Sequence, residues 1–568
     1  MGVLEGQQRR WRVAPETPPS AIAALGHLPP LIAHLLVRRG ITTADQANEF
    51  MEAADSLFED PRTLPDVDRA TARIRAARDR GETVAVYGDF DADGVTGTAL
   101  MVKAFRHYGL NVISYIPHRV REGHGLNVRA VDSLREQGVK LIVTVDCGVT
   151  DVAAIQHAND HGIDTVVTDH HLVAENLPNA AAIINPHAEH SRYAFDHLTG
   201  VGMTLKLSQA LLEPEFGERW TEGLMELAAI GTITDMAPLL GENRYIVHRG
   251  LKHLAKTSST GLQALLRAAR TDLAHVTAET IGFTIGPRLN AAGRLDHADI
   301  ALDLLTTDDR ARAETLVGEL DSYNTQRREL TEATQETARQ QLPAQIPPLI
   351  AVGSPEFNPG VVGLVAGKLA EEFGAPALCY AQDGENIMAS CRSTPGFHWA
   401  DALTACEDLL LRHGGHAQAA GFACKADDLP VLIERLQAIA AEHLGGSPTV
   451  VDGVVDAEVQ LAELMGPTFQ ALRKMEPFGI GNPSPLFLTR GAEVRDARRM
   501  GAARNHFRLT LVAGGATWDA VGFRQEWIDG TRYVDIVYTL DIDHWNGSPR
   551  LRLTLRDYAP SAQPRLAL

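Results

Sequence analysis

The stretch Val84-Ala-Val-Tyr-Gly-Asp-Phe-Asp-Ala-Asp-Gly-Val-Thr-Gly97 decides how this chain is read: an apolar run of strand type ends in three alternate carboxylates, Asp89, Asp91 and Asp93, and then a glycine. Alternate residues of an extended segment point to one side, so the three acids converge on one spot unless the chain bends at once. Anions crowded in this way need cations, and hard oxygen donors select magnesium or manganese. Asp-x-Asp-x-Asp-Gly also opens a calcium-binding EF-hand loop. Counted from Asp89, however, the position that needs a bidentate glutamate is Leu100, and the upstream segment is β-like rather than helical.

Outward from this stretch, apolar runs and helical patterns alternate. The spacing predicts strands over 83–87, 111–116, 140–145, 164–168 and 182–185, with helices over 96–107, 128–137 and 152–161 between them. Such alternation reads as an α/β domain with a parallel, doubly wound sheet, whose functional residues belong at the carboxyl ends of the strands. Three predicted strand ends carry acids. One bears the Asp cluster, one Asp146, and one Asp169-His170-His171; a further acid, Asp235, follows the apolar helical run 225–234. Independent surface acids would not keep choosing these positions.

The remaining chain divides by pattern. Residues 1–60 read as an N-terminal extension with short helices, 61–307 as the first α/β domain, and 308–343 as a long, partly exposed connecting helix with Leu316, Val317, Leu320 and Tyr323 on one stripe. A second α/β domain follows over 344–447, and Gly445-Gly-Ser-Pro marks a linker. Over 448–568 short alternating strands predict a small β-barrel. Positive charge gathers there in Arg490, Arg495, Arg498, Arg499, Arg504 and Arg508, beside Phe507, Trp518 and Trp545, a composition suited to tracking a single strand.

Composition sets the bounds. With 568 residues and 45% hydrophobic content the chain has ample core for several domains. No apolar run is long enough to span a bilayer and the N-terminus lacks the apolar core of a signal peptide, so a cytoplasmic protein without membrane association is expected. The five cysteines, Cys147, Cys379, Cys391, Cys406 and Cys424, show no zinc or disulfide spacing. A net charge of −19 argues against coating nucleic acid by overall charge, while leaving room for a local basic channel.

Asp89, Asp91, Asp93, Asp146, Asp235 and His170 together offer two adjacent cation sites, with Asp146 the candidate bridge. Two cations a few ångströms apart suit phosphoester hydrolysis. These four motifs resemble those of the DHH phosphoesterase superfamily, and Gly414-Gly-His-Ala-Gln-Ala-Ala-Gly421 resembles the glycine-histidine signature of its associated DHHA1 domain. Within the superfamily the chain is similar to the RecJ family of bacterial single-strand-specific 5′→3′ DNA exonucleases. Gly286-Pro-Arg-Leu-Asn-Ala-Ala-Gly-Arg294, Glu476-Pro-Phe-Gly-Ile-Gly-Asn-Pro-Ser-Pro485 and the C-terminal barrel, which resembles an OB-fold, carry that narrower likeness over about residues 60–558.

The resemblance implies a DHH and a DHHA1 domain joined by a long helix, with an OB-fold beyond. It implies that Asp89, Asp91, Asp93, Asp146, His170 and Asp235 hold two Mn2+ or Mg2+ ions. His171 would face the scissile phosphate, Asp169 would orient the histidine, and His416 would approach from the DHHA1 side. Ser390 and Arg392 would grip phosphate. Arg288, Asn290 and Arg294 would contact the strand or serve a loop network, and Arg498, Arg499, Arg504, Phe507, Arg508 and Trp518 would line the barrel's DNA track. Two departures stand out: Tyr87 occupies a position where many members have a metal-binding histidine, which makes Asp89 the candidate replacement, and Cys391 stands where glycine is common. The implied activity is metal-dependent 5′→3′ degradation of single-stranded DNA to mononucleotides in recombination and repair. A single-strand-binding protein and recombination helicases are the implied partners, and a monomer is expected. The alternatives are a phosphodiesterase for short oligonucleotides or cyclic dinucleotides and a non-catalytic strand-binding scaffold.

Overall fold

Thr83–Gly88 lies inside a five-stranded, all-parallel sheet in the order Asn111–Tyr115, Thr83–Gly88, Val139–Val145, Asp164–Thr168, Ala182–Ile184. The structure, a computed structural model, describes residues 3–6, 9–173, 175–445, 453–501, 504–543 and 550–561. Sheets covered on both faces need strands that are apolar throughout, and Thr83–Gly88 and Val139–Val145 are buried almost end to end. The chain leaves Thr83–Gly88 for one neighbour and returns to the other side for Val139–Val145, so strand order reverses between them. A crevice opens at such a reversal, outside the carboxyl ends of the strands. The Asp cluster and Asp146 follow these two strands.

The helix after the first strand starts earlier than its apolar pattern suggests, at Ala92 rather than 96, and runs to Tyr108. The cause is Asp91, whose Oδ1 accepts the Asp93 and Gly94 N–H groups at 2.9 and 3.1 Å and caps the helix. The chain therefore bends within the acidic triplet. Ala92–Tyr108 packs with Gly200–Phe216 and Arg219–Thr234. In another core cluster Ala130, Val131 and Leu134 of Val128–Glu136, and Ala154, Ile155 and Ala158 of Val152–Asp160, pack with Ala85, Tyr87, Ile142 and Val167 of the sheet.

Arg310–Gln340 is the long helix, capped by Asp309 and buried along Ala313, Leu316, Val317 and Leu320. It packs on Gly286–Leu295 at one end and on Val362–Phe373 at the other. Beyond it a mixed sheet runs in the order Arg412–Gly415, Ala419–Lys425, Asn386–Arg392, Ala377–Asp383, Ile350–Ser354, with only the last pair parallel. Residues 58–238 and 242–449 form one compact unit.

The other unit comprises residues 1–57, 239–241 and 450–568. Phe487–Met500, His506–Ala513, Ala516–Phe523, Arg550–Pro560 and Tyr533–Asp543 pair in sequence and close, because the first also pairs with the last. The N-terminal residues are more than short helices. Arg10–Val13 pairs with Val3–Glu5 and, in parallel, with Gly453–Val455, while Ile32, Leu35, Leu36 and Phe50 share a core with Phe487, Phe507 and Trp527. Such three-residue pairings across the whole chain leave no local periodicity to read.

The barrel corrects two residues of the expected DNA track. Phe507 and Trp518 are 1% and 4% exposed in the barrel core, so neither ring is a stacking surface. Among the described residues, Phe523, 48% exposed, is an aromatic that the same sheet turns outward. Arg498, Arg499 and Arg508 reach solvent but pair with Asp496, Asp529 and Asp519, whereas Arg490 is held by Glu458 and Asp535. Arg504 is exposed on a left-handed turn. Trp545 and most of the 445–448 linker lie outside the described residues. All five cysteines are free and buried, and among the described residues no helix is long and apolar enough to cross a membrane.

Candidate active site

The strand ends bring the predicted acids together. Donor atoms of Asp89, Asp91 and Asp146 lie within 4.8 Å of one another, as do those of Asp93, His170 and Asp235, and those of Asp146, His170 and His171. Asp146 belongs to two of these groups and so sits between the first and the others. Its backbone is left-handed, with φ 62°, an uncommon cost for a residue with a Cβ that turns the carboxylate back over the strand ends. The start of helix Gly200–Phe216 closes the site: Asp93 accepts the Gly200 and Val201 N–H groups at 2.7 and 2.9 Å. Gly200 must be glycine here, because a Cβ would lie 2.5 Å from Asp146 Oδ1.

These residues fit divalent cations. Asp89 Oδ1 and Asp146 Oδ1 are buried and accept no hydrogen bond, a costly state unless another electrophile uses their lone pairs. His170 Nε2 lies 3.0 Å from Asp146 Oδ1 without hydrogen-bond geometry, as two ligands of one ion would. Burial first, and then the neighbouring carboxylates, push Asp91, Asp93 and Asp146 above the ordinary carboxylate range. Burial and then His171 pull His170 down to about 3, which leaves its ring neutral with a lone pair to give. Tyr87 offers no ligand. It is fully buried, its hydroxyl donates to the Gly125 carbonyl at 2.8 Å, and its ring stacks on Tyr115 with centroids 5.3 Å apart.

Asp169 orients rather than coordinates. Its Oδ1 accepts the N–H groups of His170 and His171 at 2.8 and 3.1 Å, its Oδ2 accepts that of Val149 at 3.0 Å, and His171 Nδ1 lies 2.7 Å from Oδ1. Burial raises this carboxyl, but His171 and the backbone donors outweigh it and hold it at about 2. With Nδ1 engaged, His171 presents Nε2 to the crevice. The His416 ring from the second sheet faces it, parallel within 10° at 6.3 Å.

The predicted substrate residues separate. Arg392 and Ser390 share a face of Asn386–Arg392, and a Cβ on Gly363 would lie 3.2 and 3.3 Å from their polar atoms. Cys391 points the other way into the core, paired regularly with Ala420 and Leu378, so it leaves the strand undistorted. Next to Ser390 is a cavity of about 300 Å3, also lined by Met388, Arg412, Gly414 and Gly421. Arg294 has Arg119, Arg327 and Arg392 as positive neighbours and Asp91 as a negative one, and burial followed by those arginines pulls it down to about 9. Four crowded guanidinium groups make an anion site. Arg288 and Asn290 do not join it. Arg288 is tied to Asp321 at 2.8 Å and to the Thr284 carbonyl at 2.7 Å, and Asn290 Oδ1 accepts the Ala92 N–H at 2.9 Å, steadying the acidic turn.

Sequence reasoning missed Arg119, Arg327 and His124. Arg119 lies over the Phe90 ring at 4.6 Å. His124 Nδ1 is 3.2 Å from Asp89 Oδ1; burial lowers this imidazole, but Asp89 more than compensates and brings it to about 9. Its one local signal was the pair of flanking glycines, Gly123 and Gly125.

A crevice at a strand-order reversal, lined by carboxylates and histidines and faced by a second mixed sheet, defines a DHH-type phosphoesterase. Residues 83–232 match the model of the DHH family, N-terminal domain, 346–442 that of the DHHA1 domain, and 455–557 that of the RecJ OB domain. The chain belongs to the RecJ family. It is 37% identical over 543 residues to the single-stranded-DNA-specific exonuclease RecJ of Bacillus subtilis (strain 168), covering 94% of this chain and 68% of that one. RecJ of Thermus thermophilus in complex with Mn2+ superposes with a TM-score of 0.83 at 31% identity, covering 98% of this chain and 80% of that one. The same protein in complex with Mg2+ gives 0.77 at 30%, covering 98% and 79%.

Proposed function

We propose that this protein is a Mn2+- or Mg2+-dependent exonuclease that degrades single-stranded DNA from its 5′ end to 5′-mononucleotides. The observation that carries the reading is one crevice uniting the Asp89–Asp91–Asp146 and Asp93–His170–Asp235 groups with the Asp169–His171 pair and the arginine cluster. Kinship with the single-stranded-DNA-specific exonuclease RecJ supports the substrate and the exonuclease activity.

Asp89, Asp91, Asp93, Asp146, His170 and Asp235 would hold the divalent cations, Asp146 being common to two of the donor groups. Bound there, such ions polarise a phosphoryl oxygen and lower the pKa of water. Asp169 fixes the tautomer of His171 by accepting from Nδ1, so that Nε2 meets the scissile phosphate. His416 approaches the same group from the second sheet. Arg119, Arg294, Arg327, Arg392 and Ser390 bind phosphate and set the strand's register. Arg498, Arg499, Arg504 and Arg508 follow phosphates along the barrel, with Phe523 as the exposed ring. The setting is cytoplasmic recombination and repair, with a monomer acting beside a single-strand-binding protein and helicases.

An oligonucleotide labelled at either end tests this. With Mn2+, the 5′ label should appear as mononucleotide while the 3′-labelled strand shortens stepwise, and Asp146→Ala should abolish both. Early release of the 3′ label, or full activity in Asp146→Ala, would overturn the reading.

A further inference from the structure

Ser390 borders a cavity that no step of the mechanism above fills, and the register of its sheet shows how that cavity is made. Ser390 pairs with Gly421 and Gly421 with Gly414, so the three form one row across the strands. Arg392 and Ala419 form the next row toward His416; Met388, Ala423 and Arg412 form the next row away from it. Residues paired in this way turn their side chains to the same face. On that face helix Val362–Phe373 covers Ala377–Asp383 and Asn386–Arg392, with Val365, Ala366 and Leu369 packed against Ala377, Cys379 and Ala381.

The two outer strands are bare on the same face. A Cβ on Gly414 would meet nothing within 4 Å, and one on Gly421 would touch only the Ala389 carbonyl oxygen, at 3.3 Å. The opposite face is filled, because Ala420, Phe422 and Cys424 share a core with Trp399 and Leu432. The result is a shelf of about 300 Å3 with a floor of glycine backbone, walls from Met388, Ser390 and Val362, and Arg412 in the row farthest from His416. Arg412–Gly415 runs directly into His416, whose ring faces His171 at 6.3 Å, so the shelf adjoins the crevice.

Its lining suits a flat ring of any outline. Among the described residues no carboxylate or carboxamide lines it, and these are the groups that read the edges of adenine and cytosine. A guanidinium plane such as that of Arg412 stacks on any base, and a methionine adapts to differing shapes. Met388 is two residues from Ser390, about 7 Å along the strand. A phosphate held at Ser390 and Arg392 therefore leaves its own deoxyribose and base over the glycines. We propose that this shelf is the subsite for the base of the nucleotide being released and takes all four bases alike, a role that rests on the exonuclease function proposed above.

The test measures the affinity of dAMP and of 2-deoxyribose 5-phosphate by calorimetry with Mn2+ for the unaltered protein, Gly414→Val and Arg412→Ala. Gly414→Val adds its methyl groups in open space on a strand, where β-branched residues are favoured, so it fills the shelf without disturbing the fold. The unaltered protein should bind dAMP about tenfold more tightly than the sugar phosphate, about 1.4 kcal/mol for one stacked base. Gly414→Val should erase that difference by weakening dAMP alone, and Arg412→Ala should weaken dAMP about threefold and leave the sugar phosphate unchanged. The four mononucleotides should agree within about threefold. On 5′-phosphorylated strands an abasic first nucleotide should lower kcat/KM about tenfold in the unaltered protein and have no effect in Gly414→Val. Equal affinity of the unaltered protein for the two ligands, or variants that do not weaken dAMP selectively, would overturn the proposal. Failure of the unaltered protein to shorten strands would instead sink the exonuclease reading, because the mononucleotide comparison does not depend on cleavage.

Discussion

Gly200→Ala places the smallest possible side chain at the tightest point of the site. The added Cβ would lie 2.5 Å from both Cγ and Oδ1 of Asp146, where real side-chain carbons keep at least 3.0 Å. Helix propensity favours alanine over glycine by about 1 kcal/mol. Overpacking costs about 1–3 kcal/mol, and neither neighbour yields easily. Asp146 sits on a left-handed backbone, and the Gly200 N–H is bound to Asp93 at 2.7 Å. The clash should therefore win. The expected result is a net stability loss of about 1 kcal/mol in urea melts and Mn2+ binding weakened about tenfold. A displacement of about an ångström at the reacting centre predicts a drop in kcat/KM of about 100-fold. Gly223→Ala is the control, since nothing lies within 4 Å of a Cβ there and the position is also helical. If Gly200→Ala matched it in melting, Mn2+ binding and strand release, the reasoning would be refuted.

Metal removal should make stability depend on pH with a defined sign. Asp91, Asp93 and Asp146 titrate above the ordinary Asp value of 3.8, so their contribution is complete below 3.8 and is lost as pH rises through their raised values. Melts in EDTA should thus show stability falling as pH rises above 3.8 and through about 7, the raised value of Asp93, with Mn2+ restoring most at the alkaline end; a rising curve would contradict the assignment. Asp169, held at about 2, acts with the opposite sign, and its contribution disappears only as pH falls through about 2. Asp169→Asn should cut kcat by about 10²–10⁴ and leave KM for the strand nearly unchanged, because it unsettles the His171 tautomer rather than strand binding. In the barrel, Phe507→Ala should cost about 3–5 kcal/mol of stability, whereas Phe523→Ala should weaken single-strand binding by about 1–3 kcal/mol and melt normally. Finally, truncation after residue 445 should yield a poorly soluble protein unless residues 1–57 are removed too, because Ile32, Leu35 and Phe50 lose their core partners.

The parallel sheet and its acids were legible because both follow from local chemistry. Fully buried strands must be apolar, and the acids stand where a doubly wound sheet opens. The burial of Phe507 was legible as well, for in Phe507-Arg-Leu-Thr-Leu the ring shares its face with Leu509 and Leu511, and the arginine between them points out. His124, Arg119 and Arg327 were beyond reach. They come from a turn, a loop and a long helix, and only tertiary packing carries them to the crevice. Asn290 and Arg288 look like contact residues in sequence because polar groups in a glycine-rich motif can serve a ligand or the fold itself; the structure makes the motif the helix Gly286–Leu295, and only the partners of each side chain decide.

The pairing of Arg10–Val13 with Gly453–Val455 sets an order of events during synthesis. The two strands are separated by about 440 positions, and their shared core needs barrel strands made later still. At translation rates of roughly 5–20 residues per second, the N-terminal strand and helices wait about 20–90 s for their partners, while residues 58–449 have everything they need to fold in between. A segment made well before its partners is thus among the last parts of its unit to be finished, and Leu35, Leu36 and Phe50 are the surface that a chaperone would meet in that interval.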